Sequence, residues 1–81
     1  MDAWVVYILE CKDKTLYTGI TNNLERRIRQ HESGQGAKYT KGRGPFCVIH
    51  TEEFVEKGLA LSREHQIKQL NRDQKLALIV K

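Results

Sequence analysis

Residues 3–20, AWVVYILECKDKTLYTGI, decide how this chain folds. Ala3 to Cys11 is dense in β-branched and aromatic side chains, which suit a pleated strand. Apolar residues fall on both of its faces, so a strand covered on both sides is expected. Lys12, Asp13 and Lys14 form a polar turn, and Thr15 to Ile20 reads as a second strand. So short a connection makes the pair an antiparallel hairpin. With a three-residue loop, Cys11 faces Thr15, Tyr7 faces Gly19, Leu9 faces Tyr17, and the odd positions share one face. Tyr7 and Tyr17 are then diagonal neighbours, roughly 7–8 Å apart at the backbone. Gly19 leaves a gap beside Tyr7 where a ligand or backbone can approach. A two-residue loop would send the tyrosines to opposite faces. The sequence leaves both registers open, and with them whether the tyrosines are cross-strand packing or a site.

Working outward, a helix is expected from near Asn22 to Ser33, because Asn22 followed by Glu25 has the capping-box pattern. Gly34 ends it. Residues 34–44, GQGAKYTKGRG, form a basic, glycine-rich loop. Pro45 to Thr51 reads as a third strand, with proline at its first position, where a missing N–H is tolerated. Val55 to about Leu70 reads as a second helix, and Asn71 with Gln74 repeats the capping-box pattern at the start of a third. The expected order is β-β-α-β-α-α. It describes one α+β domain over residues 1–81, a three-stranded mainly antiparallel sheet flanked by helices.

Fourteen Lys and Arg against ten Asp and Glu give a formal charge of +4, which favours an anionic partner, nucleic acid being the commonest. Cys11 and Cys47 stand apart in no CxxC pattern, so neither a zinc site nor a disulfide framework is expected. A reducing, cytoplasmic setting fits that usage. The start of the chain is strand-like and carries Asp2, unlike a signal peptide. No apolar run approaches the roughly 20 residues of a membrane span, so no membrane partner is expected.

Helical periodicity separates the charged residues of the first helix. Leu24 and Ile28 sit at i and i+4 and face the core, and Arg27 and His31 fall within about 60° of that stripe. Arg26, Arg29, Gln30 and Ser33 point to solvent. A guanidinium beside a core stripe needs a partner, either an internal carboxylate or a phosphate gripped by its planar fork. On the second helix Ala60, Glu64, Ile67 and Asn71 follow i, i+4, i+7 and i+11, which turns Glu64 inward. Three fates are open to it: pairing with Arg27, holding a divalent cation, or lying on a wet edge. In the 34–44 loop, Lys38, Lys41 and Arg43 surround Tyr39, a mixture that can grip a phosphate backbone and stack on a base, or simply stay solvated. His50 and His65 read as surface residues.

Taken in order, Val5-Val6-Tyr7, Tyr17-Thr18-Gly19, Asn22-Asn23-Leu24-Glu25-Arg26-Arg27, His31 and Glu64 on a later helix resemble the GIY-YIG nuclease superfamily. The match is to its small, stand-alone, single-domain bacterial branch, also in ALSREHQIKQL and NRDQKLALI, and spans roughly residues 4–79. The motifs read VVY and YTG in place of GIY and YIG, which keeps the ring and charge chemistry. The resemblance implies catalytic roles for Tyr7, Tyr17, Arg27, His31 and Glu64, with Glu64 as ligand to one Mg²⁺ or Mn²⁺. Gly19 and Asn71 match residues that shape the family's site. One tyrosine would take the proton from water, assisted by His31 or by a pKa drawn down by a cation such as Arg27. The implied activity is a metal-dependent endonuclease, a phosphodiester hydrolase acting on DNA, weakly sequence-specific or structure-directed, in DNA repair or recombination. A partner protein or a homodimer would supply further specificity. Two other readings stay open: a non-catalytic nucleic-acid-binding module of the same fold, and a protein-interaction domain.

Overall fold

The structure, a computed structural model, describes residues 3–36 and 40–79. It contains β1 (Trp4–Glu10), β2 (Leu16–Thr21), α1 (Leu24–Glu32), β3 (Cys47–Phe54), α2 (Lys57–Lys68) and α3 (Arg72–Ile79). The sheet order is β2-β1-β3, and both pairings are antiparallel. The fold is the expected α+β arrangement.

β1 is central in sequence pattern and in space. Val6, Tyr7, Ile8 and Leu9 are all fully buried, as a strand apolar on both faces should be. The hairpin takes the three-residue loop, with Tyr7 opposite Gly19 and Leu9 opposite Tyr17. The Cys11 N–H closes it on the Thr15 carbonyl at 2.9 Å. Asp13 caps the turn by accepting from the Thr15 N–H and hydroxyl at 3.2 and 2.6 Å. Lys14 sits at φ +71°, the left-handed position that three-residue hairpin loops usually give to glycine.

The even-numbered face of β1 makes the aliphatic core. Val6 and Ile8 pack on Ala60 and Ile67 of α2, and each fully buried aliphatic side chain contributes about 1.5–3 kcal/mol. A polar clamp fixes α2 to β3. Arg63 donates through Nε and Nη2 to the two oxygens of Glu52 at 2.7 and 3.0 Å, and His50 Nε2 lies 2.7 Å from the same carboxylate. Arg63 above all, then His50, holds Glu52 below the usual carboxylate range against the opposing effect of burial. His50 is therefore half-buried rather than a surface residue; His65 is exposed and bonds Gln69.

Several boundaries move. The N-cap of α1 is Asn23, not Asn22: Asn23 Oδ1 accepts from the Arg26 N–H at 3.1 Å, and the Thr21 hydroxyl accepts from the Asn23 N–H at 3.0 Å. Gly34 ends the helix as expected, at φ +82°. The Gly34 N–H reaches the His31 carbonyl and the Gln35 N–H the Gln30 carbonyl, a Schellman closure. β3 begins at Cys47, two residues after the cis Gly44–Pro45 peptide, and runs to Phe54 because Phe54 still has Trp4 to pair with. Ile49 of β3 is left unpaired opposite the step from Ile8 to Leu9, a bulge that shifts the β1–β3 register there. α2 is shorter than the 55–70 expected, leaving Val55 85% exposed. Asn71 and Gln74 form the reciprocal capping box, at 3.0 and 2.8 Å. Among the described residues no helix is long and apolar enough to cross a membrane.

Lys14→Gly removes the side chain from a left-handed position and should stabilise the fold by about 0.5–1 kcal/mol. Urea denaturation checks it; an unchanged midpoint would show that the Lys14 conformation costs nothing.

Candidate active site

The odd-numbered face of the hairpin carries the two tyrosines, beside Val5 and the buried Leu9. Tyr7 and Tyr17 lie side by side on it, ring centroids 6.3 Å apart and tilted by 47°. α1 covers this face and delivers His31 to it. The Tyr7 hydroxyl lies 2.8 Å from His31 Nε2, and His31 Nδ1 lies 2.8 Å from the Thr40 hydroxyl. All three are sealed, with relative exposures of 0, 1 and 1%. A neutral imidazole donates through one nitrogen and accepts through the other, so the three groups form a directional chain. The His31 ring also stands edge-on to Tyr17, at 5.2 Å between centroids.

Two glycines make room for this chain. A Cβ on Gly19 would stand 2.6 Å from the Tyr7 hydroxyl oxygen. A Cβ on Gly36 would collide with His31 Nδ1. Gly19 is therefore occupied by the Tyr7 ring and is not an open gap for a ligand.

Arg27 lies one turn before His31 on the same helix face. Its Nη1 donates to Gln30 Oε1 at 3.0 Å. Hydrogen bonding to Tyr7 is the first cause that holds the guanidinium in its charged form, with Tyr17 adding to it and burial opposing it. Among the described residues no carboxylate lies within ion-pair distance of Arg27. Gln30, expected in solvent, is half-buried because it braces Arg27. Arg26 is exposed as expected, and Arg29 is an exposed partner of Glu25 at 2.9 Å.

Electrostatics separate the tyrosines. Burial pushes Tyr7 up to about 12, and the opposing hydrogen bond from Arg27 does not overcome it. Arg27 does act in the expected direction on Tyr7, but burial of the ring outweighs it. Burial, then the charge of Arg27, lowers His31 below its ordinary 6.5, so the imidazole is neutral at neutral pH. Tyr17 is half-buried and keeps access to solvent.

Glu64 is held on α2 with its side chain 18% exposed, 3.2 Å from Lys68 Nζ. It pairs with Lys68, not with Arg27, yet its charge reaches Tyr7 and helps to raise it. Among the described residues no three His, Cys, Asp or Glu side chains converge as a ready-made metal cage. Glu64 is the carboxylate available to a cation at this site. Lys38 and Tyr39 lie outside the described residues. Lys41 is exposed, whereas Arg43 is half-buried and ion-paired to Asp13. Asn71 is exposed and caps α3. A depression of about 520 Å³ beyond His31 is bordered by Glu32 and glycine backbone, with no lysine or arginine among its described lining residues.

Thr40, Gln30 and Gly36 were not singled out from the sequence. The one available signal was His31 itself: a histidine on an inward stripe needs a partner for each ring nitrogen.

Known proteins bear on this geometry. The family profile described as the GIY-YIG catalytic domain matches residues 3–77. The UPF0213 protein OB0043 of Oceanobacillus iheyensis is 58% identical over 74 residues, covering 91% of this chain and 86% of that protein. The solution NMR structure of the UPF0213 protein BH0048 from Bacillus halodurans superposes with a TM-score of 0.61 at 49% identity, covering 98% of this chain and 83% of that one. The solution NMR structure of EF2693 from E. faecalis gives a TM-score of 0.64 at 36% identity, covering 96% and 88%.

The lowered His31 pKa carries a stability prediction. The unfolded chain takes up this proton more readily, so the stabilisation is fully present above the unfolded value near 6.5 and is lost as pH falls through the lower folded value. Between about pH 7.5 and 5 the wild type should lose more melting temperature than His31→Gln. Parallel thermal melts test this, and equal losses would show that His31 does not titrate differently in the folded chain.

Proposed function

The chain belongs to the GIY-YIG family, a family of nucleases acting on DNA, and from that premise we propose that it is an endonuclease hydrolysing phosphodiester bonds in DNA with one divalent cation. One observation carries the reading: Arg27, half-buried, is surrounded by neutral oxygens of Tyr7, Tyr17 and Gln30, and no carboxylate pairs with it among the described residues. An internal structural arginine would be matched by a carboxylate. A planar guanidinium held among hydroxyls is matched by a phosphate.

The residues divide the work. Arg27 grips the scissile phosphate and offsets the charge that grows on its oxygens, an effect often worth about 3–4 kcal/mol. Tyr17, the tyrosine with solvent access, meets the attacking water and takes its proton as the Tyr17 hydroxyl proton passes to solvent. Tyr7, held protonated by burial, bonds Arg27 and His31 and fixes their orientation, and Thr40 fixes the far nitrogen of His31. Glu64 would hold Mg²⁺ or Mn²⁺. A single carboxylate suits a hard cation that keeps several waters and takes further oxygens from the phosphate. Such an ion supplies a Lewis acid at the reacting phosphate. The groups assigned here engage phosphate, water and metal rather than base edges, so cutting that follows DNA structure or backbone, as in repair or recombination, fits them better than a sequence-specific cut.

Wild type, Arg27→Ala, Tyr17→Phe, Tyr7→Phe and Glu64→Ala should be incubated with labelled single-stranded, duplex, branched and nicked DNA, and with RNA, in Mg²⁺ and in Mn²⁺. Wild type should give products that EDTA abolishes. Arg27→Ala and Tyr17→Phe should each lose about 100-fold or more in rate. Tyr7→Phe should lose less, and Glu64→Ala should lose the metal response. A wild type that binds DNA but yields no products in either metal would overturn the nuclease reading in favour of a non-catalytic binding module.

A further inference from the structure

A groove of about 350 Å³ runs along the β2 edge, lined by Leu16, Tyr17, Thr18, Lys68 and Lys75. It shares Tyr17 with the candidate active site and reaches α3 through Lys75. Leu16 and Lys75 also border a neighbouring hollow whose other lining residues are Thr15 and Arg72. The Thr18 hydroxyl is the decisive feature. Thr18 is 2% exposed, and its Oγ1 has no hydrogen-bond partner among the described residues. Leaving a buried hydroxyl unpaired is costly, and such a group marks a place where something else completes the bond.

The charges around it are equally incomplete. Lys68 and Lys75 come from different helices onto this groove. A lysine that only covers apolar surface keeps its ammonium in water. For Lys75, burial first, then repulsion from Lys68, disfavours the charged form. Lys68 has Glu64 at 3.2 Å, but among the described residues Lys75 has no carboxylate partner. Two converging ammoniums and an orphaned hydroxyl donor are complementary to one phosphate group.

We infer that this groove is a second phosphate subsite, which seats the sugar–phosphate backbone beside the bond that is cut, so that the nucleic-acid strand leaves the active site over the β2 edge toward α3. The position relative to the cut bond rests on the nuclease reading above; the binding of a backbone phosphate does not.

The test is equilibrium binding of duplex DNA in EDTA over a salt series, which needs no cleavage. Lys68→Gln/Lys75→Gln removes one phosphate contact, so the slope of log K against log salt should flatten by about 0.9. Lys57→Gln is the control for loss of a lysine charge away from the groove. It lies about 16 Å away along α2, with its ammonium over the Trp4 ring, and should leave the slope unchanged. Thr18→Val should raise the melting temperature, because it removes an unsatisfied hydroxyl, while weakening binding about tenfold. An unchanged slope in the double variant, an equal change in Lys57→Gln, or no DNA binding by the wild type would overturn the subsite. A flattened slope in the double variant, together with a wild type that makes no products in Mg²⁺ or in Mn²⁺, would sink the nuclease reading and leave the subsite standing.

Discussion

The hydrogen bond between the Tyr7 hydroxyl and His31 Nε2 joins two elements that little else joins. His31 is the single fully buried residue of α1. Leu24 and Ile28 are only half-covered, so apolar burial alone places the helix loosely. The bond sets where the helix sits across the sheet. Thr40 completes it from the loop side, and Gly19 and Gly36 allow it by presenting no Cβ. Arg27 inherits its place from this bond, one helical turn away, and acquires the hydroxyls that stand where a carboxylate would otherwise be.

The two faces of β1 obey different physics. On the even face, Val6 and Ile8 meet Ala60 and Ile67, and shape and volume are what matter. On the odd face, polar groups are buried, and satisfaction of each donor and acceptor is what matters. α2 bridges the two regimes. Its Ile67 belongs to the aliphatic core, its Arg63 is clamped to Glu52, and its Glu64 carries a charge that is felt at Tyr7. The clamp fixes the rotation of α2, and with it the direction in which Glu64 points.

Element order, hairpin register and the pairing of Arg27 with His31 on one face were legible, because they follow from periods of 2 and 3.6 that the sequence displays. Asn71 with Gln74 was legible as well, since both halves of a capping box are local. Asn22 misled because Asn23 beside it has the same side chain, and only the Thr21 hydroxyl decides between them. Thr40 was not legible: its partner lies nine residues back, across a glycine-rich loop that no periodicity describes. Nor was the rise of Tyr7 to about 12, since the sequence supplies the cation but not the depth of burial that outweighs it.

The strict alternation along β1 limits how this domain can vary. One residue inserted or deleted within Val5–Leu9 would exchange the aliphatic core with the hydroxyl-bearing face, placing Tyr7 against Ile67 and Ile8 against His31. No compensating substitution at a single position repairs that exchange. Substitution is the mode of change open to this strand, and length variation belongs to the loops outside it.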